Sequence, residues 1–437
     1  MRQLRNRRRG RRQRNTLWIA PVVSAAIAAV VAALALLVDA RVEWEQTGLP
    51  VFVGEPDTAR MMLSIIGGSV TTLLALIFTV IAVVIQLAIG QYTPRALTIL
   101  LGDRPSHFTI GVFVGTFTYS LIVLVFLHLT FSEAGSDAGS DAGSKVSGLA
   151  VTLAFALAVV TIATFAVYSN HIIHAVRASS IIGRIGRETR SSIERLYRPF
   201  GDPPEPEPQV ATPALPLRQT VLAAEPGVLV DVDEDALYAI ACAADAVLVF
   251  VPPVGAFVPE GAPLVRVYGA AAASEQDLHN AVEFGDERNL LLDVSFGLRQ
   301  LVDIAARALS PGINDPATAV QVIDQVHDLL RRLLQRRLTD GSRWDDDGNI
   351  RLVLRMSTWE QFVTMTLDEL RRFGHGSLAV MRRLRALLED LLIVAPEFRR
   401  ASLRLQIELL DQACDSGFDN ARERDLARRS DLRGAGF

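Results

Sequence analysis

One short segment interrupts two long helical patterns with residue types that can either bind a ligand or end a helix. It is ALSPGINDPATAV, residues 308 to 320, which contains two prolines, a glycine and an Asn-Asp pair. Hydroxyl, amide and carboxylate groups in such a segment can hydrogen-bond to a bound molecule, and the same groups can cap helix ends. The sequence therefore leaves two interpretations of this turn open, a binding or gating site and a structural connection.

Local backbone preferences explain much of the segment as a structural connection. Pro311 disfavours helical conformation at Ser310, and Gly312 is free to adopt the left-handed conformation that ends a helix. Asp315 is placed to cap the following helix, and Pro316 suits its first position because the missing amide hydrogen has no partner there. We expect a helix stop, a turn and a helix start.

A second set of polar residues lies in an apolar run that is long enough to cross a bilayer. Ser69, Thr72, Thr79 and Gln86 fall on one helical face, and the last three are spaced seven residues apart. We call these four residues the polar stripe. In an oligomer the polar stripe would line an aqueous path. Alternatively, such residues pack membrane helices together, and the sequence leaves both interpretations open.

Histidine spacing offers further candidates for chemistry. His171 and His174 are three residues apart on a predicted helix, a spacing that can hold a metal, but no carboxylate or third histidine lies nearby in the sequence. His375 stands between two glycines, where a helix break is the alternative to a catalytic base. We predict no metal site and no catalytic residue.

Composition excludes several classes of enzyme. Lys145 is the only lysine, so a Walker-type phosphate loop, a pyridoxal Schiff base and a kinase lysine in the C-terminal part are excluded. Cys242 and Cys414 have no metal-binding spacing, and we expect both to be buried thiols. The prediction is a protein that is not an enzyme and uses no cofactor.

The elements that carry these residues begin with a membrane region. Half of the 437 residues are hydrophobic and the mean hydropathy is positive, as in membrane proteins. Four runs without charges reach the roughly 20 residues needed to cross a bilayer. They are 17–38, 61–88, 108–129 and 148–168. The absence of charge inside them disfavours a proton relay or an ion-coupled pump.

Arginine placement predicts the orientation of these spans. The tail of residues 1–16 is strongly basic, and the segments after the second and fourth spans also carry arginines, whereas the other two loops are mixed or acidic. Because basic flanking segments stay in the cytoplasm, we expect both termini there. The net charge of −4 argues against nucleic acid as a partner, and the basic tail is expected to contact anionic lipid.

The rest of the chain divides into four predicted segments. Residues 169–199 suit a helical extension that leaves the bilayer or lies on its surface, and the Pro-rich residues 200–216 suit an extended linker. Residues 217–270 contain short β-branched runs around one helix, for which Asp233 is a plausible cap. Residues 271–437 have amphipathic helical patterns on both sides of the turn. The predicted fold class is a four-helix transmembrane region followed by a cytoplasmic α+β region.

Two resemblances add to this interpretation. The segment VGAFVPEGAPLVRV resembles the hairpin of lipoyl and biotinyl carrier domains, which implies a small β-barrel-like module without the lysine that is modified there. The segments LRQLVDIAARALSPGINDPATAV, FVPEGAPLVRV and QLAIGQYTPRAL resemble a family of bacterial predicted membrane proteins, a domain of unknown function with an A-L-S-P-G-x-N-D-P signature.

The second resemblance extends over nearly the whole chain and supplies no established reaction. It implies four spans in the bacterial inner (plasma) membrane with a cytoplasmic domain, and a role for the turn beyond capping. An ion pair between Asp303 and Arg307, four residues apart, is the structural alternative. The candidate ligand or gating residues are Asp303, Arg307, Ser310, Pro311, Gly312, Asn314, Asp315 and Pro316.

Three functions are consistent with these features. The first is an oligomeric ion channel or passive transporter that the polar stripe lines and the cytoplasmic domain gates or assembles. The alternative is a membrane-anchored sensor or scaffold that binds a ligand or partner at the turn. An enzyme with dispersed residues, such as Asp303 and Asp315, has the least support. The predicted partners are the lipid bilayer and further copies of the chain.

Overall fold

The protein has two compact units, Met1–Arg177 and Ala178–Phe437, each with its own buried core. A computed structural model describes residues 16–42, 51–91, 104–133, 146–175, 177–201, 215–286, 293–338 and 341–433. The basic tail up to residue 15 and most of the predicted linker, residues 202–214, lie outside the described residues.

The first unit is built from four long apolar helices and one short strand pair. Its elements are α1 (Thr16–Asp39), β1 (Phe52–Gly54), α2 (Pro56–Gln91), α3 (Arg104–Glu133), β2 (Val146–Gly148) and α4 (Leu149–Ala175), and β1 pairs with β2 in antiparallel fashion. All four helices are long and apolar enough to cross a membrane. The expected four-helix region is confirmed.

Two glycines of α3 lie in its contact with α1. A Cβ atom on Gly111 would lie 2.6 Å from Ser24 Oγ, and one on Gly115 would lie 3.6 Å from the Ser24 carbonyl oxygen. The short side chain of Ala28 completes this contact. The G-x-x-x-G pair therefore joins two helices of the same chain, as small residues do in membranes.

Polar contacts tie the other helices together. Both oxygens of Asp39, at the end of α1, accept hydrogen bonds from the amides of Leu149 and Ala150 at 2.7 and 2.9 Å, which caps α4 from another helix. Inside the unit, the hydroxyls of Thr116 and Thr161 are 2.9 Å apart and join α3 to α4. The Thr116–Thr161 bond satisfies two buried hydroxyls within the apolar interior.

The second unit combines strands and helices. In chain order its elements are α5 (Ala178–Leu196), β3 (Arg198–Pro199), β4 (Leu217–Leu222), β5 (Gly227–Val232), α6 (Glu234–Ala243), β6 (Ala246–Phe250), β7 (Phe257–Val258), β8 (Pro263–Gly269), α7 (Glu275–Asn280), β9 (Val282–Gly285), α8 (Val294–Ala308), α9 (Pro316–Leu334), β10 (Arg336–Arg337), β11 (Ser342–Trp344), β12 (Ile350–Val353), α10 (Trp359–Gly374), α11 (Leu378–Val394), α12 (Glu397–Gly417) and α13 (Ala421–Ala427).

The main strands of this unit form two open sheets. One has the order β11-β12-β6-β8-β4 and the other the order β7-β5-β9, and within the described residues neither closes on itself. The barrel-like shape expected from the hairpin is therefore wrong. The reason is that β12 pairs in parallel with β6 and adds a further strand to the sheet. This strand follows the turn of residues 308–320 by about thirty residues. Asp233 caps α6, as expected, by accepting from the Ala236 amide at 3.1 Å.

Helix α5 packs inside the second unit. Its apolar face buries Ile182, Ile185 and Ile193. A Cβ on Gly186 would collide with the Gln325 side chain on α9, and one on Gly297 of α8 would collide with the Thr189 side chain on α5. The predicted extension of residues 169–199 is thus divided, because α4 ends at Ala175 and α5 contacts α8 and α9 closely.

Candidate functional site

The turn between α8 and α9 is closed by its own backbone. The Ser310 hydroxyl donates to the Arg307 carbonyl at 2.7 Å, and the Asn314 amide donates to the Ser310 carbonyl at 2.9 Å. The Asp315 amide donates to the Ala308 carbonyl at 2.8 Å, which joins the start of α9 to the end of α8. The segment is therefore a turn that its own hydrogen bonds hold closed.

The start of α9 follows the sequence prediction. Asp315 caps the helix, with Oδ1 accepting from the Thr318 amide at 3.1 Å and Oδ2 from the Thr318 hydroxyl at 2.6 Å. Pro316 occupies the first turn, and Pro311 precedes Gly312 in the connection. This accounts for the Asp-Pro pair by helix capping alone.

The left-handed residue of the turn is Asn314 rather than Gly312. Asn314 has φ 48°, whereas Gly312 is not among the residues with positive φ. The expectation for Gly312 is therefore wrong. Asparagine tolerates this conformation better than most residues because its short polar side chain can hydrogen-bond locally.

Asp303 pairs within α8 with Arg299, and Arg299 in turn reaches a neighbouring helix. Asp303 Oδ1 accepts from Arg299 Nε at 2.9 Å, and Arg299 also forms an ion pair with Glu369 on α10. Arg307 lies in the last turn of α8, where the helix dipole stabilises a positive charge. Both candidate residues thus have structural roles.

The tip of the turn is accessible from solvent. Ile313 is 41% exposed, and a Cβ on Gly312 would meet nothing within 4 Å. At its base, Leu309 packs against the end of α10, where a Cβ on Gly374 would lie 3.8 Å from Leu309 Cδ1. The helix break expected around His375 is present, since α10 ends at Gly374.

A cavity of about 490 Å³ borders the same end of α10. It is lined by Asp368, Arg371, Arg372, His375, Leu409, Gln412, Ala413 and Ser416. Arg371 donates to Asp368 at 3.0 Å, and the ring Nδ1 of His375 is 2.8 Å from the Arg372 carbonyl. The cavity is the candidate ligand region of the second unit, and the turn contacts the same helix end through Leu309 without lining the cavity.

The polar stripe faces away from the packed interior of the first unit. Ser69, Thr72, Thr79 and Gln86 are all exposed. The hydroxyls of Thr72 and Thr79 donate to the carbonyls four residues earlier, both at 2.9 Å. Because these side chains are exposed in the single chain, packing within the chain does not explain them.

The structure brings no metal ligands together in the part of the chain it describes. No group of three or more histidine, cysteine, aspartate or glutamate side chains is placed to hold a metal there. His171 stacks on Tyr168 with ring centroids 6.5 Å apart. Cys414 is buried as expected, but Cys242 is exposed, so that expectation is wrong for Cys242.

Comparison with known proteins identifies the family of the chain. A family model described as "Predicted membrane protein (DUF2254)" matches residues 14–390. The chain belongs to the DUF2254 family. Uncharacterized proteins of Mycobacterium bovis and Mycobacterium tuberculosis are each 30% identical to it over 385 residues, which is 86% of this chain and 71% of theirs. No solved structure matches.

In this DUF2254 protein, sequence reasoning missed a group of buried charges on α11. Arg382, Arg383 and Arg385 are 4–7% exposed, although arginine is rarely buried without partners. Their carboxylate partners, such as Asp324 and Asp411, lie on other helices. The sequence signal was available in the run MRRLRALLED, where three arginines lie close together among leucines of the same helix.

Proposed function

We propose that this DUF2254 protein assembles from several copies into a channel or passive transporter, with α2 of each copy lining the path. The observation that supports the proposal is the exposure of the whole polar stripe on a helix that is otherwise suited to lipid. An amide such as that of Gln86 is unfavourable against hydrocarbon, and either water or a second helix would provide hydrogen-bond partners.

The same face of α2 has the spacing of a helix contact. Small or polar residues recur at intervals of four, three, four, three and four, and all of them are exposed. They are Gly68, Thr72, Ala75, Thr79, Ala82 and Gln86. A 3.5-residue repeat keeps one face turned toward a neighbouring helix along its length. This supports contact between copies of α2, with the polar groups near the contact.

The orientation and location belong to the same proposal. The four spans found in the described residues would put both termini on one side, and the basic segments favour the cytoplasmic side of the bacterial inner membrane. The second unit then acts in the cytoplasm as the gating or assembly domain. We assign it no reaction, no cofactor and no nucleic-acid partner.

Cysteine accessibility tests whether the stripe faces water. In full-length protein in liposomes, with Cys242→Ser and Cys414→Ala as background, Thr79→Cys is expected to react with a charged, membrane-impermeant thiol reagent. Phe78→Cys is the matched control, because the neighbouring side chain is 52% exposed on a different face. Thiols react as thiolates, which need water, so Phe78→Cys in lipid stays unmodified. Equal reactivity at both positions would contradict the proposal.

A second candidate function is a membrane-anchored sensor or scaffold. The observation that favours it is the cavity beside the α10 end against which the turn packs. It predicts that a bound ligand raises the melting temperature and that Asn314→Ala removes the increase. A panel of phosphate and carboxylate compounds in a thermal-shift assay on the full chain tests it, and no shift with any of them would count against this function.

A further inference from the structure

A line of charged and titratable side chains joins α9 to α11 in the second unit. It runs through a histidine that is largely buried, with its side chain 14% exposed. The five residues of this line, which we call the His327 ladder, are Asp324, His327 and Arg331 on α9 and Arg383 and Asp390 on α11.

Each member of the His327 ladder has a defined partner. Arg383 Nε donates to Asp324 Oδ1 at 2.7 Å, and Arg383 Nη2 donates to His327 Nδ1 at 3.0 Å. On the other side of the ring, His327 Nε2 is 2.8 Å from Asp390 Oδ2, which also accepts from Arg331 Nη1. The imidazole therefore bridges two ion pairs.

The chemistry of arginine determines the tautomer of His327. A guanidinium has only donor groups, so Nδ1 must accept from Arg383 and carries no proton. Nε2 then carries the hydrogen and donates to Asp390. The imidazole is neutral, and two carboxylates balance two guanidinium groups. A proton on Nδ1 would replace an acceptor with a second donor and break the bond to Arg383.

The surroundings of His327 disfavour protonation of Nδ1. Burial lowers the pKa of His327, and the charges of Arg383 and Arg331 lower it further, although Asp390 acts in the opposite direction. For Asp390, burial alone would raise the pKa, but the hydrogen bonds from Arg331 and His327 outweigh it and the pKa is lowered. The stable state near neutral pH therefore has a neutral His327 ring between two ion pairs.

We propose that His327 is a pH-sensitive clasp, which holds α11 against α9 while its ring is neutral and releases it when Nδ1 is protonated. His327 lies on α9, twelve residues after the Asp315 cap. Acidification of the cytoplasm would thus loosen α11, which lies in the chain between the segments that line the candidate ligand region. The proposal does not depend on whether α2 lines a path.

The direction of the pH effect follows from the lowered pKa. The unfolded or released state takes up a proton at the ordinary pKa of about 6.5, whereas the held state does so only at lower pH. The contribution to stability is complete above about pH 6.5 and is lost as the pH falls through the lowered value. Each unit by which the pKa is lowered gives a tenfold rise in release on acidification.

Hydrogen exchange tests the clasp in the full-length protein in nanodiscs. Amide protection of residues 378–394, corrected for intrinsic exchange, is expected to fall between pH 7 and pH 5, by up to about tenfold for each unit by which the pKa of His327 is lowered. His327→Gln keeps a donor toward Asp390 but does not titrate, so its protection is expected to change little over the same interval, whatever its absolute level. His279→Gln, at a histidine on α7 outside the His327 ladder, is expected to behave like the wild type.

A spectroscopic measurement tests the tautomer directly. With ¹⁵N-labelled histidine, the ring of His327 is expected to show an unprotonated Nδ1 at pH 7 and to have a pKa below the ordinary value of about 6.5. A protonated Nδ1 at pH 7 would overturn the proposal. Equal acid sensitivity of residues 378–394 in wild type and His327→Gln would overturn it as well.

Discussion

Single residues determine where α9 begins. Asp315 accepts from both the amide and the hydroxyl of Thr318, and its own amide closes the turn on Ala308. The identity of this cap was predictable from the sequence, because an Asp followed by Pro suits only a few backbone positions. The left-handed residue was not predictable in the same way, since glycine is the usual choice and the turn uses Asn314 instead.

Replacing the cap should destabilise the second unit. Asp315→Ala removes the acceptor for the Thr318 amide, and we expect a loss of about 0.5–2 kcal/mol in the free energy of unfolding. Asp315→Asn keeps a side-chain oxygen that accepts this bond and should lose less. Thermal unfolding of the purified protein measures both, and an equal loss in the two variants would argue against capping as the role of Asp315.

The left-handed backbone at Asn314 gives a second prediction. Asn314→Ala should lower stability by about 1 kcal/mol because a Cβ without a polar group is unfavourable in this conformation. Asn314→Gly should stay within about 0.5 kcal/mol of the wild type, since glycine adopts the conformation freely but gains entropy when unfolded. The same thermal measurement distinguishes them, and a more stable Ala variant would contradict the assigned φ.

At the scale of elements, long periodic helices were predictable and short strands were not. The four apolar helices follow from length and composition alone. By contrast, β11 and β12 have three and four residues, and β12 pairs with β6 about a hundred residues earlier in the chain. No local pattern identifies such a partner, because strand pairing depends on tertiary contacts. The barrel-like expectation was wrong for this reason.

Helix packing in the first unit can be tested with a matched pair of glycines. Gly111→Val should reduce the fraction of monodisperse protein after heating in detergent, because its Cβ would lie within 2.6 Å of Ser24. Gly67→Val on α2 is the control, as a Cβ there meets nothing within 4 Å. Size-exclusion chromatography measures both, and equal losses would show that helix propensity rather than the α1–α3 contact is responsible.

At the scale of the whole molecule, the two units offer different kinds of function. The first presents an exposed polar stripe on a membrane helix, and the second presents a hydrogen-bonded turn, a neighbouring cavity and the His327 ladder. The sequence identified the stripe and the turn because their residue types and spacing are local. The sequence did not reveal the His327 ladder, because the residues that contact each other between α9 and α11 are 56 to 63 residues apart in the chain.

Ion flux through liposomes tests the central claim that copies of α2 line a path. Anion and cation flux would be measured for the purified full-length protein over physiological ionic and voltage conditions, with Thr79→Trp and the neighbouring control Phe78→Trp. We predict flux for the wild type and for Phe78→Trp, and none for Thr79→Trp, because only the latter places an indole in the path. No flux from the wild type, or flux that Thr79→Trp leaves unchanged, would contradict the claim.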